Sequence, residues 1–360
     1  MSDFDLLRIV SRLEQSKAKI VMFADGFVDE VWEIVNARAN LNDYTVYSQM
    51  RQFAERISNS RTGGIGLEIV KKRRAFGGFS ANTGYASARL GVDTAVIGVF
   101  GKDKPDPVFE EVNDICHLTS LGAPATTHIL EFDDGKILMS YMEATHSVCW
   151  KQIVDILGME KINSLLSESD IIGVGYWSLL PAFDEIVSQV CAHLPNDGKK
   201  RRFFFDFADF LKRDKTSLIK TLQDLKILNE KFPMTLSVNE HEAAALFSIH
   251  NETMDDEQRP LLKKIEYVRE QIGLDELVIH TPHYAAAASQ SEKAVFTMNQ
   301  YIKKPLRSVG AGDSFNGGYI AASLAELDIS ERLFVANTAV SFFLQSAKFP
   351  ELSDLLGARC

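Results

Sequence analysis

Residues 307–319 read RSVGAGDSFNGGY, a run with four glycines and one carboxylate. Phe315, Tyr319, Ile320, Ser323 and Leu324 follow at helical spacing, which predicts a helix beginning within Gly310–Asp313. The first turn of a helix leaves backbone N–H groups without partners and carries the positive end of the helix dipole. With Gly310, Ala311 and Gly312 at that turn, no bulky side chain keeps an anion away from the amides. Asp313 then has two readings. It caps the helix, or it is a general base beside an anion hole, taking a proton from a hydroxyl while the amides hold a phosphoryl group. The phosphate loop GxxxxGK[ST] is absent, and GVFGKD (98–103) lacks both its spacing and its hydroxyl; GxGxxG is absent too.

A second glycine cluster, GGFSANTGYASARLG (77–91), also precedes a helical run. Gly77 and Gly78 would let a ligand reach the backbone. Asn82, in the first turn, offers both a donor and an acceptor, which suits vicinal hydroxyls. Two such clusters so far apart in one chain read as facing walls of one cleft.

These residues need a scaffold, and the sequence describes one. KIVMFAD (19–25), AVIGVFG (95–101), DIIGVGYW (170–177), RRFFFDF (201–207), MTLSVN (234–239) and ELVIHT (276–281) are short apolar runs. Amphipathic stretches such as NEHEAAALFSI (239–249) lie between them, an alternation that predicts a mainly parallel sheet covered on both faces. VDEVWEIVNAR (28–38), GLEIVKKRRAF (66–76) and ATTHILEFDDGKILMSYME (125–143) instead show partial period-two alternation, the last with Asp-Asp-Gly as a hairpin turn. They predict a small second sheet, a lid over a cleft, with 36–65 as an insertion.

Charged residues are 24% and apolar residues 46% of the 360, an ordinary globular composition. A formal net charge of −10 argues against general binding to nucleic acid or to a membrane surface. No apolar run approaches a bilayer span, and MSDFDLLRIVSRLEQSKAKI reads as an amphipathic helix, not a signal peptide. Cys116, Cys149, Cys191 and Cys360 are scattered, which fits reduced thiols in a cytoplasmic protein.

Together, GGFSANTGYASARLGV and SVGAGDSFNGGYIAA resemble the two signatures of the ribokinase-like (PfkB) carbohydrate kinases, in the same order and over nearly the whole chain. The resemblance implies one ribokinase-like three-layer α/β/α domain over 1–360 with a small β-sheet lid. It implies transfer of a terminal phosphoryl group from a nucleotide, ATP in most members, to a hydroxyl of a sugar. Asp313 would be the base and Gly310, Ala311 and Gly312 the anion hole. Asp29 in FADGFVDEV, with Asp25 as a rival, would bind the sugar together with Gly77, Gly78 and Asn82; Asp103 is a further substrate-side residue or a turn residue. Asn239 and Glu242 resemble the Asn-x-x-Glu motif that organises Mg2+-bound water, hard oxygen chemistry that suits this ion. The alternative for that pair is a helix cap.

Two stretches depart from the family pattern. HTPHYAAAAS (280–289) stands where ATP-using members place Thr-x-Gly-x-x-Gly, and is similar to ADP-dependent sugar kinases, so ADP is an alternative donor. Thr281 and Asn337 are the expected nucleotide contacts, with a polar helix position as the alternative for Asn337; His280 and His283 either touch phosphate or serve structure at a strand end, the commoner role of a histidine there. DFADFLKRD (206–214) departs from the Asp-Pro-Asn form of sugar-acid kinases. A nucleoside kinase and a non-catalytic sugar-binding protein on this scaffold are the competing expectations, and a homodimer through the lid follows from fold analogy.

Overall fold

Consecutive phenylalanines in RFFFD point to opposite faces of one strand. Phe203 and Phe205 join one apolar cluster, and Phe204 joins the other. A strand buried on both sides must lie inside a sheet covered by helices, and the computed structural model shows this. It describes residues 5–60, 63–252 and 261–357.

In chain order the strands are β1 (Lys19–Phe23), β2 (Phe27–Arg38), β3 (Tyr44–Val46), β4 (Ile69–Gly77), β5 (Asp93–Gly98), β6 (His117–Ser120) and β7 (Ala125–Phe132). β8 (Gly135–Tyr141), β9 (Ile171–Gly175), β10 (Arg202–Asp206), β11 (Met234–Asn239), β12 (Glu276–His280), β13 (Tyr284–Ser289) and β14 (Val295–Met298) follow. Nine of them form the central sheet, ordered β14-β13-β12-β11-β10-β9-β1-β5-β6. Every pairing from β6 to β12 is parallel, and β13 and β14 add an antiparallel edge. All six predicted central strands are present. β6 and the β13–β14 edge add to the expected strands; in β13, the four alanines of YAAAAS carry no β-branched signal.

Helices cover both faces. On one side Phe183, Leu222, Leu246 and Val268 pack on Phe203 and Phe205; on the other Phe79, Phe315, Tyr319 and Leu333 pack around Phe204. Each fully buried aromatic contributes roughly 1.5–3 kcal/mol of transfer free energy.

The second sheet runs β3-β2-β7-β8, with β4 also paired to β2. Its hairpin turns at Asp133–Asp134, as the Asp-Asp-Gly predicts. The strand expected from residue 66 begins at Ile69. The insertion folds back on this sheet, where Phe53 of the Met50–Ser58 helix packs with Ile34, Leu130 and Phe132.

The Ala311–Leu324 helix is buried along most of its length despite its polar and small residues. Small residues explain the fit. A Cβ on Gly317 would lie 2.4 Å from Ala86 Cβ in the Phe79–Arg89 helix, and one on Gly318 would lie 3.0 Å from Ala336 Cα in the Ile329–Ser346 helix. The helix that begins with GAGD therefore sits wedged between two others.

Candidate active site

Polar residues gather at the C-terminal ends of the parallel strands. Asp25 follows β1, Tyr176 follows β9, and Asp206, Asn239 and His280 end β10, β11 and β12. That edge is where open α/β sheets hold ligands. The wedged helix delivers Asp313 to it.

Asn82 Nδ2 donates to Asp313 Oδ2 at 3.0 Å, while Thr83 Oγ1 and Tyr176 OH donate to Oδ1 at 3.1 and 3.0 Å. The two glycine-led helices thus meet at one carboxylate. Burial holds the Asp313 carboxyl well above the ordinary carboxylate range, and the charge of Asp206 adds to this; the hydrogen bonds from Tyr176 and Thr83 oppose it. Once ionised, such a carboxylate accepts a proton more strongly than an exposed one. Burial and the same negative charges push the Tyr176 phenol upward, so it remains a donor.

The helix starts where predicted. Gly310 takes φ +93°, a left-handed conformation that a side chain would strain, and caps the N-terminus without a side-chain bond. The Ala311 N–H turns back to Ser308 O at 3.3 Å. Of the three expected anion-hole amides, this one is therefore shared with the turn. His280 lies against Gly312, its Cε1 3.3 Å from where a Cβ would stand, and against the Phe315 ring at 5.0 Å. Burial pulls its pKa down to about 4, leaving a neutral imidazole whose Nε2 has no partner among the described residues.

The two rival aspartates have different work. Asp25 accepts from Phe79 N and Ser80 N, each at 2.8 Å, and from Ser80 Oγ at 2.5 Å. It anchors the first turn of the helix that carries Asn82. Asp29 lies on β2 with its carboxylate under Gly77, and burial raises its pKa to about 6 against the opposing pull of Arg307 and Lys136. The glycine pair serves these two carboxylates. A Cβ on Gly77 would meet Asp29 Oδ2 at 2.5 Å, and one on Gly78 (φ +94°) would meet Asp25 Oδ2 at 2.9 Å. The space expected to admit a ligand is filled by the protein's own acids on that side.

A second network joins the same helix to the ends of β10 and β11. Asn316 Nδ2 donates to Asp206 Oδ2 at 2.9 Å, and Ser237 Oγ donates to Asn316 Oδ1 at 2.6 Å. Asn316 stands three residues after Asp313 on the same helix, so the spacing held a signal. Burial raises Asp206 to about 6, eased by hydrogen bonds from Ala208 N and Asn316. Asn239 and Glu242 do form a capping box: Asn239 Oδ1 accepts from His241 N and Glu242 N, and Glu242 accepts from Asn239 N at 2.9 Å and Nδ2 at 2.6 Å. Yet Glu242 is buried, and burial together with Asp206 and Asp209 drives its pKa well up. That excess of negative charge on hard oxygens is what a divalent cation would offset. Among the described residues no three His, Cys, Asp or Glu side chains cluster tightly enough to hold a metal directly; the hard oxygens of Asn239 and Glu242 are of the kind that suits Mg2+ through its water shell.

Thr281 Oγ1 is engaged in the tight β12–β13 turn, accepting from His283 N and Tyr284 N and donating to Tyr284 O. His283 is exposed and stacks on Tyr301 at 4.8 Å. Asn337 keeps a buried Oδ1 without a partner among the described residues. Asp103 is exposed in the turn after β5, away from these contacts. Lys136 of β8 reaches Ser308 Oγ at 3.5 Å and so ties the small sheet to the turn before Gly310. No helix among the described residues is long and apolar enough to cross a membrane.

Comparison with known proteins agrees with this architecture. A family model for prokaryotic ketohexokinase matches residues 10–358. A ketohexokinase of Haloferax volcanii is 23% identical over 341 residues, covering 94% of this chain and 89% of its own. The phosphofructokinase-2 of Escherichia coli, solved with substrates and products, superposes with a TM-score of 0.67 at 13% identity over 94% of this chain and 97% of its own. Arabidopsis thaliana ribokinase, complexed with ribose and ATP, gives 0.66 at 16% identity over 95% and 98%. The fold is therefore the ribokinase one, and the chain belongs to the prokaryotic ketohexokinase family of carbohydrate kinases.

Proposed function

We propose that the protein transfers the terminal phosphoryl group of ATP to a primary hydroxyl of a ketohexose, with Asp313 as general base. The observation that carries this reading is the Asp313 carboxylate held by Asn82, Thr83 and Tyr176 beside the Gly310–Gly312 turn. The acceptor hydroxyl gives its proton to Asp313 as its oxygen attacks phosphorus. The helix dipole and the free amides of the turn stabilise charge on the transferring group. Asp29 and Asn82 hold sugar hydroxyls. Asn337 lies on the nucleotide side, with Thr281 contributing through its turn. Mg2+, held through water by Asn239 and Glu242, would neutralise phosphate charge when bound. The lid sheet excludes water, which would otherwise take the phosphoryl group. Its edge strand β8 exposes Leu138, Met139 and Tyr141, which supports pairing of two lids in a dimer.

The test is phosphoryl transfer read by mass spectrometry, with ketohexoses, aldoses, sugar phosphates, sugar acids and nucleosides offered with ATP or with ADP. A phosphorylated ketohexose formed with ATP is the expected product. A product formed with ADP alone would overturn the donor, and a phosphorylated nucleoside would overturn the acceptor.

A further inference from the structure

Arg307 is held in an unusual way. Its Cζ lies 5.1 Å from the centre of the Phe343 ring, 5.9 Å from Phe349 and 6.0 Å from Phe76. Aromatic faces seat a guanidinium without neutralising it. Nε is fixed by donation to Val309 O at 3.0 Å, whereas Nη2 is buried with no hydrogen-bond partner among the described residues. A buried donor left without a partner is costly, more so when charged, so its position needs a reason.

That position is beside the glycine turn. A Cβ on Gly310 would stand 3.7 Å from Arg307 Nη2 and 3.6 Å from Asn82 Nδ2. Asn82 is 2% exposed, and its Oδ1 is a second buried atom lacking a partner among the described residues. One orphaned donor and one orphaned acceptor thus flank the residue that opens the anion hole. Arg307 also sits within electrostatic reach of Asp29, Glu111 and Asp313, with Arg73 as an opposing positive charge. A cavity of about 550 Å³ is lined by Arg307 together with Arg73, Glu110 and Glu111 among others.

Resting on the kinase reading above, we propose that Arg307 is a catalytic residue whose Nη2 donates to an oxygen of the phosphoryl group during transfer. In that step the acceptor oxygen forms a bond to phosphorus as the bond to the leaving diphosphate oxygen breaks. The hydroxyl proton goes to Asp313, and the electron pair departs with the nucleoside diphosphate. Charge spreads over three equatorial oxygens, and a cation fixed in advance on rings stabilises it without reorganising.

Three proteins decide this: wild type, Arg307→Met and Arg307→Lys, each followed by steady-state kinetics and thermal melting. Arg307→Met should lose about 10²-fold or more in kcat, with sugar and nucleotide KM within a few-fold. Arg307→Lys should recover part of that loss, because the charge survives without the fork. A second readout is binding of nucleoside diphosphate with sugar and aluminium fluoride, a mimic of the transferring group. Wild type should bind the set more tightly than diphosphate alone, and Arg307→Met should lose that gain. Unchanged kcat in Arg307→Met, or a rise in sugar KM alone, overturns the proposal; the latter would make Arg307 a sugar contact. If Arg307→Met melts early, the lysine variant decides: full activity in a stable Arg307→Lys with no loss of fluoride-dependent binding would mark a structural role. Wild type that phosphorylates no sugar would overturn the kinase reading itself, a distinct outcome.

Discussion

Asn82 and Asp313 are 231 residues apart in the chain and 3.0 Å apart in space, joined by one buried hydrogen bond. The bond exists because two helices approach closely enough for Gly317 to face Ala86 and because Asp25 fixes the first turn of one of them. Removing the amide should be felt at the sugar. Asn82→Ala is expected to raise the sugar KM about tenfold, the effect of one buried hydrogen bond, and to lower kcat by loosening Asp313. Initial-rate kinetics check this; an unchanged KM would place the sugar elsewhere.

Gly317 sets the distance between those helices. Its missing Cβ would stand 2.4 Å from Ala86 Cβ and 3.0 Å from backbone. Gly317→Val should therefore destabilise the fold by about 1–3 kcal/mol through overpacking. It should also reduce kcat with the glycine turn itself untouched. Denaturant unfolding and kcat measured together test this, and wild-type values in both would contradict the packing described.

The pH dependence of turnover has a defined sign. A general base must be ionised, and burial and Asp206 both raise the Asp313 pKa. The acidic limb of kcat/KM should accordingly lie above the ordinary carboxylate range. Asp206→Asn removes the like charge and keeps an acceptor for Asn316, so the limb should move to lower pH. A limb that stays in place would show that Asp206 does not act on the base.

How much of this was legible in the sequence follows from which signals are local. GAGD before an apolar period reports a helix start, and the structure opens that helix at Ala311 with Gly310 as its cap. Short apolar runs report the central strands, and partial alternation reports the second, smaller sheet. Tyr176, Thr83, Asp206 and Arg307 gave no such signal. Tyr176 and Asp206 stand at strand ends, Thr83 lies inside the Phe79–Arg89 helix and Arg307 beside a turn, and only strand order and helix packing bring them together. The glycine pair 77–78 suggests space for a ligand, since a sequence shows that a side chain is missing and not what lies in the gap. Asp29 and Asp25 fill it. Asn239–Glu242 shows the reverse case: the cap is present, and the burial that raises the Glu242 pKa, with Asp206 and Asp209 adding to it, leaves no mark on the local sequence.

Stability should also depend on pH. Asp25, Asp29 and Asp206 each have a folded-state pKa raised to about 6 from 3.8, so the folded protein binds their protons more tightly than the unfolded chain. Their stabilising contribution is complete below the unfolded value and is lost as pH rises through about 6. The ligand-free protein should melt at a higher temperature at pH about 5 than at pH about 8. Asp206→Asn should narrow the difference. Melting curves across this window check it, and a midpoint that rises with pH would contradict the charge distribution described.

The most direct measurement is the turnover of Asp313→Asn alongside its nucleotide affinity. The substitution keeps the shape and removes the base. Loss of roughly 10²–10⁴-fold in kcat with nucleotide binding within a few-fold of wild type is the predicted result. Turnover close to wild type would contradict the assignment of Asp313 as the base.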